Sequence, residues 1–310
     1  MNMRAVVYSE YGGPEVLKLD RVQKPKPSKN ELLIRVDYSS VTAGTLWIRK
    51  GGIPDSKLFT FFIRVFFGLF KPKNPILGFE FSGRIEEVGS EVKSFNVGDQ
   101  VYGTTTTLKQ GAYADFICVP QFKSSCVVRK KPEDLPLLEA AILPIGGMTA
   151  MDLILKSKLS ANEKILVYGA SGSVGSYGLQ IAHYFGAEVI AACGASNQDW
   201  VKGLGCKEVL DYKNWSPSDL EDTFDVVFDA VGKLNKKEAK RMLAKGGRFV
   251  SVASPTKEKP NYLELLEEMN SKKKLTAVLD TCFPLSEIVQ AHTYVELGRK
   301  KGNVAIDCRD

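Results

Sequence analysis

The sequence YGASGSVG, residues Tyr168–Gly175, decides the fold of this 310-residue chain. A short apolar segment, Ile165–Tyr168, leads into it, and apolar residues at helical spacing follow over Gly175–Phe185. The pattern therefore predicts a strand, a tight glycine turn and a helix, in that order.

The glycines of this turn have G-x-x-G-x-x-G spacing, a variant of the dinucleotide fingerprint with Ala170 at the place of the first glycine of G-x-G-x-x-G. Gly172 lets the backbone approach a pyrophosphate, and Gly175 lets the helix pack closely on the strand. Free amides at the helix start face the phosphates. A plain tight turn is the alternative, but the flanking elements favour nucleotide binding. The candidate cofactor contacts here are Gly169, Ala170, Ser171, Gly172, Ser173, Val174 and Gly175.

Downstream of the turn, apolar strands continue to alternate with helices, which predicts a doubly wound parallel sheet. The expected strands are Glu188–Cys193, Glu208–Leu210, Phe224–Asp229 and Arg248–Val252, and the expected helices are Gln198–Leu204 and Lys236–Leu243.

Upstream of the turn, residues 136–156 have helical spacing. The first third has short strands punctuated by glycine, the pattern of a small barrel, at Arg4–Tyr8, Leu32–Val36 and Arg84–Val88. The tail is expected to contain helix Tyr262–Met269, strand Thr276–Leu279, helix Ser286–Leu297 and strand Val304–Asp307.

Composition excludes several classes of protein. Hydrophobic residues make up 44% and charged residues 25% of the chain, which is typical of a globular protein rather than a disordered or collagen-like one. The net charge of +6 is mild and dispersed, so no nucleic-acid partner is expected. Six scattered cysteines without C-x-x-C spacing are typical of reduced thiols, and no signal peptide is evident, so we expect a cytoplasmic protein.

Several further motifs, in the right order, resemble the medium-chain dehydrogenase/reductase superfamily, most closely its zinc-independent, quinone-oxidoreductase-like (zeta-crystallin-like) branch. The motifs are Gly12–Leu17, Gly78–Gly83, Val97–Val101, Leu143–Ala150, Tyr168–Gly175, Phe228–Gly232 and Lys301–Val304. The resemblance implies a GroES-like β-barrel catalytic domain, residues 1–135 completed by 276–310, and a Rossmann NADP-binding domain, residues 136–275, with the active site in the cleft.

Zinc-dependent members of the superfamily hold a catalytic metal with two cysteines and a histidine. By the resemblance, these positions fall at Ala43 or Gly44, at Phe79 and at Ile145. None of these side chains is a zinc ligand, and the four-cysteine lobe for structural zinc is absent, so no metal is expected. His183 and His292 are interpreted as structural or surface residues.

Without a metal, the expected reaction is hydride transfer to an acceptor that is already electrophilic, a quinone or an α,β-unsaturated carbonyl. Alternatives are an enoyl thioester or alkenal reductase, or a weakly catalytic NADP-binding protein with a structural or RNA-binding role. In this branch the nicotinamide site is lined by the segment that contains Thr42 and Trp47, where relatives often have Asn and Tyr. These two are the candidate catalytic residues, and a packing role is the alternative for each.

The end of the second parallel strand is Cys193, where NAD-dependent domains place an acid for the ribose hydroxyls. Ser196 and Asn197 can donate hydrogen bonds to a 2′-phosphate, so NADP(H) is the expected cofactor. By the resemblance, Tyr212 contacts the adenosine phosphate, and Lys213 adds nearby charge. The remaining cofactor contacts implied by the family motifs are Thr149, Val231, Gly232, Ser251 and Asn303.

The apolar stretch Leu58–Phe70 has Arg64 at its middle and is too short to span a bilayer. Its aromatic residues are Phe59, Phe61, Phe62, Phe66, Phe67 and Phe70. They suit either a wall or lid over the substrate cleft or packing between domains or subunits. A membrane-surface helix is the least favoured of the three interpretations, since its flanks are not strongly amphipathic, so no membrane partner is expected.

Relatives usually continue for a few dozen residues after the strand that ends near Val252, including an edge strand that pairs across a dimer. Here residues 255–260 lead almost directly into a helix. The missing strand predicts a shorter sheet and a monomer, or a weakened or relocated dimer.

Overall fold

The structure is a computed structural model that describes residues 1–53, 56–105, 109–122, 126–214 and 223–309, without the side chain of Phe59. Its strands are β1 Asn2–Val7, β2 Lys18–Gln23, β3 Glu31–Ser40, β4 Glu80–Val88, β5 Gln100–Thr104, β6 Phe116–Pro120, β7 Val128–Lys130, β8 Lys164–Tyr168, β9 Glu188–Cys193, β10 Glu208–Asp211, β11 Phe224–Asp229, β12 Leu243–Ser251, β13 Leu279–Pro284 and β14 Asn303–Asp307. Its helices are α1 Ala43–Lys50, α2 Lys57–Phe67, α3 Leu137–Ile142, α4 Pro144–Ser157, α5 Ser173–Tyr184, α6 Gln198–Lys202, α7 Lys236–Met242, α8 Pro260–Ser271 and α9 Ile288–Glu296.

The chain forms two compact units, Met1–Ile145 with Leu279–Asp310, and Gly146–Val278. The first unit extends past the boundary expected at 135/136. Helix α3 packs on β3, β4, β5 and β14, so it belongs with the strands of the first unit.

The first unit is built around the long strand β3, which pairs antiparallel with β4, β6 and β14. The main sheet has the order β13-β14-β3-β4-β5-β7, while β1 and β2 form a separate antiparallel pair. Leu32, Ile34 and Val36 alternate along β3 and point into one apolar core, as the two-residue period of a strand requires. This arrangement is the GroES-like barrel that the family motifs implied.

The second unit contains a five-stranded parallel sheet in the order β10-β9-β8-β11-β12, within the described part of the chain. The chain winds outward from β8 on one side and from β11 on the other. The carboxyl ends of these two strands are paired, with Tyr168 opposite Asp229. Loops after neighbouring strands at such a switch point form the nucleotide crevice of doubly wound sheets.

Three elements differ from the sequence prediction. Helices α1 and α2 lie in a region expected to contain only short strands. The strand expected at Thr276–Leu279 is wrong, because the chain reaches a partner strand only at Leu279, where β13 begins. Before it, Gln180 on α5 replaces a strand partner: its side-chain amide accepts from Thr276 N at 2.8 Å and donates to Thr276 O at 3.1 Å.

Candidate functional site

The glycine turn joins β8 to α5 and is tied to the neighbouring strand β9. The amides of Gly169 and Ala170 donate to Ala192 O at 2.9 and 3.1 Å. Gly169 has φ +82°, a backbone conformation that favours glycine. Gly172 precedes α5, and its carbonyl accepts the amide of Ser176 at 2.9 Å. The amides of the first helical turn therefore point out of the helix with no intrahelical acceptor.

The space beside Gly172 is open, whereas the space beside Gly175 is filled. This difference shows whether the turn fits a dinucleotide. A Cβ added at Gly172 would meet only Gly169 O, at 3.6 Å, so the space beside this residue is open to a ligand. A Cβ at Gly175 would lie 2.2 Å from the same oxygen and 2.8 Å from Ala170 Cα. One glycine thus admits a pyrophosphate and the other allows the helix to pack against the turn, as a dinucleotide site requires.

Asp229, at the end of β11, organises the second loop of the crevice. One carboxylate oxygen accepts from the amides of Val231 and Gly232 at 3.0 and 2.9 Å. The other accepts from Leu234 N at 3.1 Å and from the Ser251 hydroxyl at 3.1 Å. Val231 is exposed and lies over Gly169, where an added Cβ would be 2.2 Å from its Cγ2. Asp229 is a positioning residue that the sequence analysis missed, although its motif was recognised.

The side chains of two predicted cofactor contacts, Ser251 and Cys193, are buried. Ser251 is buried, and its hydroxyl donates to Asp229 and accepts from Ala253 N. The Ser251 hydroxyl therefore helps to hold Asp229, which orders the Val231–Gly232 loop. Cys193 is also buried, and burial raises the pKa of its thiol to about 11. What Cys193 presents at the strand end is its carbonyl, which accepts the amide of Tyr212 at 3.3 Å.

Tyr212 and Asn197 lie at the carboxyl edge of β9 and β10, where the adenosine end of a dinucleotide is expected. The exposed ring of Tyr212 stands 6.2 Å from that of Tyr168, between centroids, and its hydroxyl approaches Gly194. The side-chain carbonyl of Asn197 accepts from Trp200 Nε1 at 3.0 Å, which leaves its amide group to donate outward. Ser196 is exposed beside it.

Asp211 is an acid at this edge that the sequence analysis did not weigh. It pairs with Cys193 in the β9–β10 register. Its two carboxylate oxygens accept from Lys213 N and from Asn214 Nδ2, each at 3.0 Å. These bonds hold the carboxylate toward the turn that follows β10.

Helix α4 reaches the start of α5 at Gly146, where an added Cβ would lie 2.2 Å from Ser173 Oγ. Thr149, one turn further along α4, is half-buried. Asn303 belongs to the first unit, where it is buried at the start of β14.

In the first unit, Thr42 is the N-cap of α1. Its Oγ1 accepts from Thr45 N at 3.2 Å, and Thr45 Oγ1 in turn accepts from Thr42 N at 3.2 Å. This reciprocal capping box and Gly51 at the helix end, with φ +65°, fix α1 at both termini. The hydroxyl proton of Thr42 is not needed for the cap. Trp47 is exposed on the same helix.

The three positions that hold zinc in metal-dependent relatives do not fit a metal. Phe79 lies in the apolar core, with its ring 3.1 Å from a Cβ added at Gly44. Ile145 packs against the same core. No group of three or more His, Cys, Asp or Glu residues able to hold a metal occurs in the described ranges. Glu80 is buried beside them and accepts from the Ser40 hydroxyl and, at 2.7 Å, from Ile145 N.

A buried polar cluster joins α1 to α9. Arg49 is fully buried and contacts His292 Nδ1 at 3.3 Å and the carboxylate of Glu296. His292 Nε2 lies 3.3 Å from the hydroxyl of Tyr113, which donates to Ser40 O at 2.9 Å. Burial and the neighbouring Arg49 charge lower the pKa of His292 to about 3. The neutral imidazole thus has a structural role, as expected.

Two family models match the chain. The Alcohol dehydrogenase GroES-like domain matches residues 28–131, and Zinc-binding dehydrogenase matches residues 173–291. Both the barrel and the nucleotide-binding unit are therefore assigned independently of the geometry above.

Curated proteins and solved structures match over almost the full length. The 2-methylene-furan-3-one reductase of Solanum lycopersicum is 31% identical over 98% of this chain and 79% of its own. The NADPH-dependent alkenal/one oxidoreductase of Arabidopsis thaliana is 29% identical over the same shares, 98% and 79%. The quinone oxidoreductase from Coxiella burnetii superposes with a TM-score of 0.86 and 26% identity, covering 100% of both chains.

Proposed function

The chain belongs to the medium-chain dehydrogenase/reductase superfamily, in its quinone-oxidoreductase-like branch, and on that premise we propose that it transfers a hydride from NADPH to a quinone or an α,β-unsaturated carbonyl without zinc. The observation that carries the proposal is the glycine turn, open beside Gly172 and closed at Gly175. A reductase for alkenals and a quinone oxidoreductase are both among its relatives.

NADPH supplies the hydride when it is bound. The role of the protein is to bind and orient NADPH. The amides at the start of α5 would hold the pyrophosphate against the open side of Gly172. Asp229 keeps the Val231–Gly232 loop in one conformation beside the turn, so the crevice is preorganised.

Thr42 is our candidate for the residue that donates a hydrogen bond to the acceptor oxygen. Its Oγ1 accepts the Thr45 amide, and this bond orients the hydroxyl while leaving its proton available. Such a donor stabilises the charge that develops on an enolate or hydroquinone oxygen. Trp47 would supply an apolar ring for a flat acceptor.

Acyclic or exocyclic enones are the second acceptor class, favoured by the activities for which two relatives covering 98% of this chain are named. An enoyl thioester would belong to the same chemistry, since its double bond is also conjugated to a carbonyl.

The deciding experiment follows NADPH oxidation in the absence of acceptor, then with a benzoquinone, an alkenal, an enone and an enoyl thioester. We expect turnover with at least one conjugated acceptor and none with a saturated aldehyde, which needs a Lewis acid. Thr42→Val should lower kcat while leaving NADPH affinity unchanged, and Thr42→Ser should retain activity. Tight NADPH binding with no turnover on the whole panel would refute the proposal.

We place the protein in the cytoplasm because its cysteines have no paired spacing and several are buried thiols. No helix in the described ranges is long and apolar enough to cross a bilayer.

A further inference from the structure

Helix α2 presents an apolar stripe to solvent rather than to a core. The stripe consists of Leu58, Phe61, Phe62, Val65 and Phe66 on the helix, and Leu69 and Phe70 continue it past the helix end at Phe67. The exposed fractions range from 44% at Val65 to 87% at Phe70. The five helical positions follow the i, i+3, i+4, i+7 spacing of one helix face. A contiguous exposed apolar face of this kind marks an interaction site.

The opposite face of α2 determines which way the stripe points. Thr60 Oγ1 accepts a hydrogen bond from Ile53 N and donates one to Ile53 O, each at 3.2 Å. Arg64 donates to Gly51 O at 2.8 Å and stacks on the ring of Tyr11, with Cζ 4.1 Å from its centroid. Phe67 packs against the barrel core. Arg64, which interrupts the apolar run in the sequence, is thus turned inward and leaves the outer face free of charge.

Charge identifies the kind of partner. Asp55 precedes Lys57 by two residues in the sequence, and no further acidic residue occurs before Glu80, whereas Lys57, Lys71 and Lys73 are exposed at the two ends of the stripe. Lys73 Nζ lies at the helix terminus, 3.3 Å from Val65 O and 3.2 Å from Phe66 O. Two copies of this face would bring lysines together without an acid from either stripe to pair with them.

The sequence analysis expected no membrane partner. Against that expectation, we infer from this arrangement that α2 docks the protein on an anionic lipid surface, with the apolar stripe in the acyl boundary and the three lysines among the headgroups. An interfacial helix of this type lies in the plane of the membrane and needs an apolar face bordered by cations. The inference goes beyond the reductase activity and does not depend on it. It would give the enzyme access to acceptors that partition into lipid.

The test uses the full chain and co-sedimentation with vesicles of phosphatidylcholine alone or mixed with phosphatidylserine. We expect binding to the mixed vesicles, weaker binding to phosphatidylcholine, and release at high salt. The double variant Phe62→Ser/Phe66→Ser should lower the partition coefficient at least about tenfold, because two exposed aromatic anchors are lost. Lys71→Glu/Lys73→Glu should abolish the preference for phosphatidylserine.

The control is Phe122→Ser, which removes a phenylalanine outside the stripe that is more exposed than Phe62 or Phe66 and should bind vesicles like the parent. The melting temperature and NADPH affinity of each variant verify that it is folded. Failure of the parent to bind either vesicle would overturn the inference, as would equal loss in the control. It would also be overturned if the stripe variant changed only the KM for a quinone, indicating a substrate wall, or only a dimerisation constant.

Discussion

At the scale of single residues, the contrast between Gly172 and Gly175 gives a direct test of the nucleotide site. Gly172→Val should abolish NADPH binding, because the branched side chain fills the space that a pyrophosphate needs. The same change should leave the melting temperature close to that of the parent, since an added Cβ meets only Gly169 O at 3.6 Å. Fluorescence titration with NADPH and thermal unfolding measure the two quantities. A folded variant with nearly normal affinity would show that the phosphates bind elsewhere.

We expect a few side chains after β9 and β10 to decide cofactor choice. We expect NADPH to bind at least about tenfold more tightly than NADH, a difference of about 1.4 kcal/mol. Asn197 has a free amide group, and Asp211 is held by Lys213 N and Asn214. Asn197→Asp should remove the preference by placing a carboxylate next to the 2′-phosphate. Titration of both reduced cofactors decides this, and equal dissociation constants in the parent would contradict it.

At the scale of elements, the pairing of α1 with α9 through His292 predicts a pH dependence. The folded pKa, about 3, lies below the ordinary value of 6.5, so below pH 6.5 the unfolded chain takes up a proton that the folded chain does not. The contribution of His292 to the free energy of unfolding is therefore fully present above pH 6.5. It falls toward pH 3, with a slope of up to about 1.4 kcal/mol per pH unit.

Urea denaturation at pH 7 and pH 5 measures this effect. His292→Gln, which keeps a polar group beside Arg49 and Tyr113, should lose about 1–2 kcal/mol less than the parent between the two pH values. Carboxylates elsewhere contribute equally to both proteins. An identical loss in parent and variant would assign the acid sensitivity to other groups.

The elements also show where sequence analysis works and where it stops. The alternation of β8, α5 and β9 was predictable because buried parallel strands and amphipathic helices have distinct periods. Helices α1 and α2 were missed for separate reasons. The aromatic run of α2 favours strand by propensity, and its apolar stripe faces outward. The signal for α1 was present in Thr42 and Thr45, whose capping box precedes a glycine that ends the helix at Gly51.

The candidate site was predictable where backbone geometry decides it and less so where side-chain direction does. The glycine turn was located from its spacing together with the apolar strand before it and the helix after it. Cys193 and Ser251 remain predicted contacts, and the sequence could not show that the thiol is buried or that the hydroxyl donates to Asp229. A sequence gives the position of a residue on a strand end but not which neighbour satisfies its polar atoms.

At the scale of the whole molecule, metal content is the first property to measure. We expect unchanged NADPH affinity and activity after chelator treatment, because the ligand positions are occupied by Ala43 or Gly44, Phe79 and Ile145. Stoichiometric zinc in metal analysis of untagged protein would contradict this expectation.

Oligomeric state is the second such property. Strand β12 lies at one edge of the five-stranded sheet, and residues 255–259 lead directly into α8. Without a further edge strand after β12, we expect a monomer or a dimer formed through another surface. Light scattering measures the mass. A dimer in which this sheet edge pairs across the interface would refute the expectation.

The first unit is assembled from two distant parts of the chain, and this has a consequence for synthesis. Strand β14 pairs with β3, Ala305 opposite Ser40, so the barrel remains incomplete until residues 303–307 have left the ribosome. The nucleotide-binding unit, Gly146–Val278, is contiguous and emerges earlier. During translation the inserted unit can thus fold while its host still has an open strand edge. For that interval we expect β3 to be a candidate client for chaperones, because a chain that ends before residue 303 exposes an unpaired strand edge that is prone to aggregate.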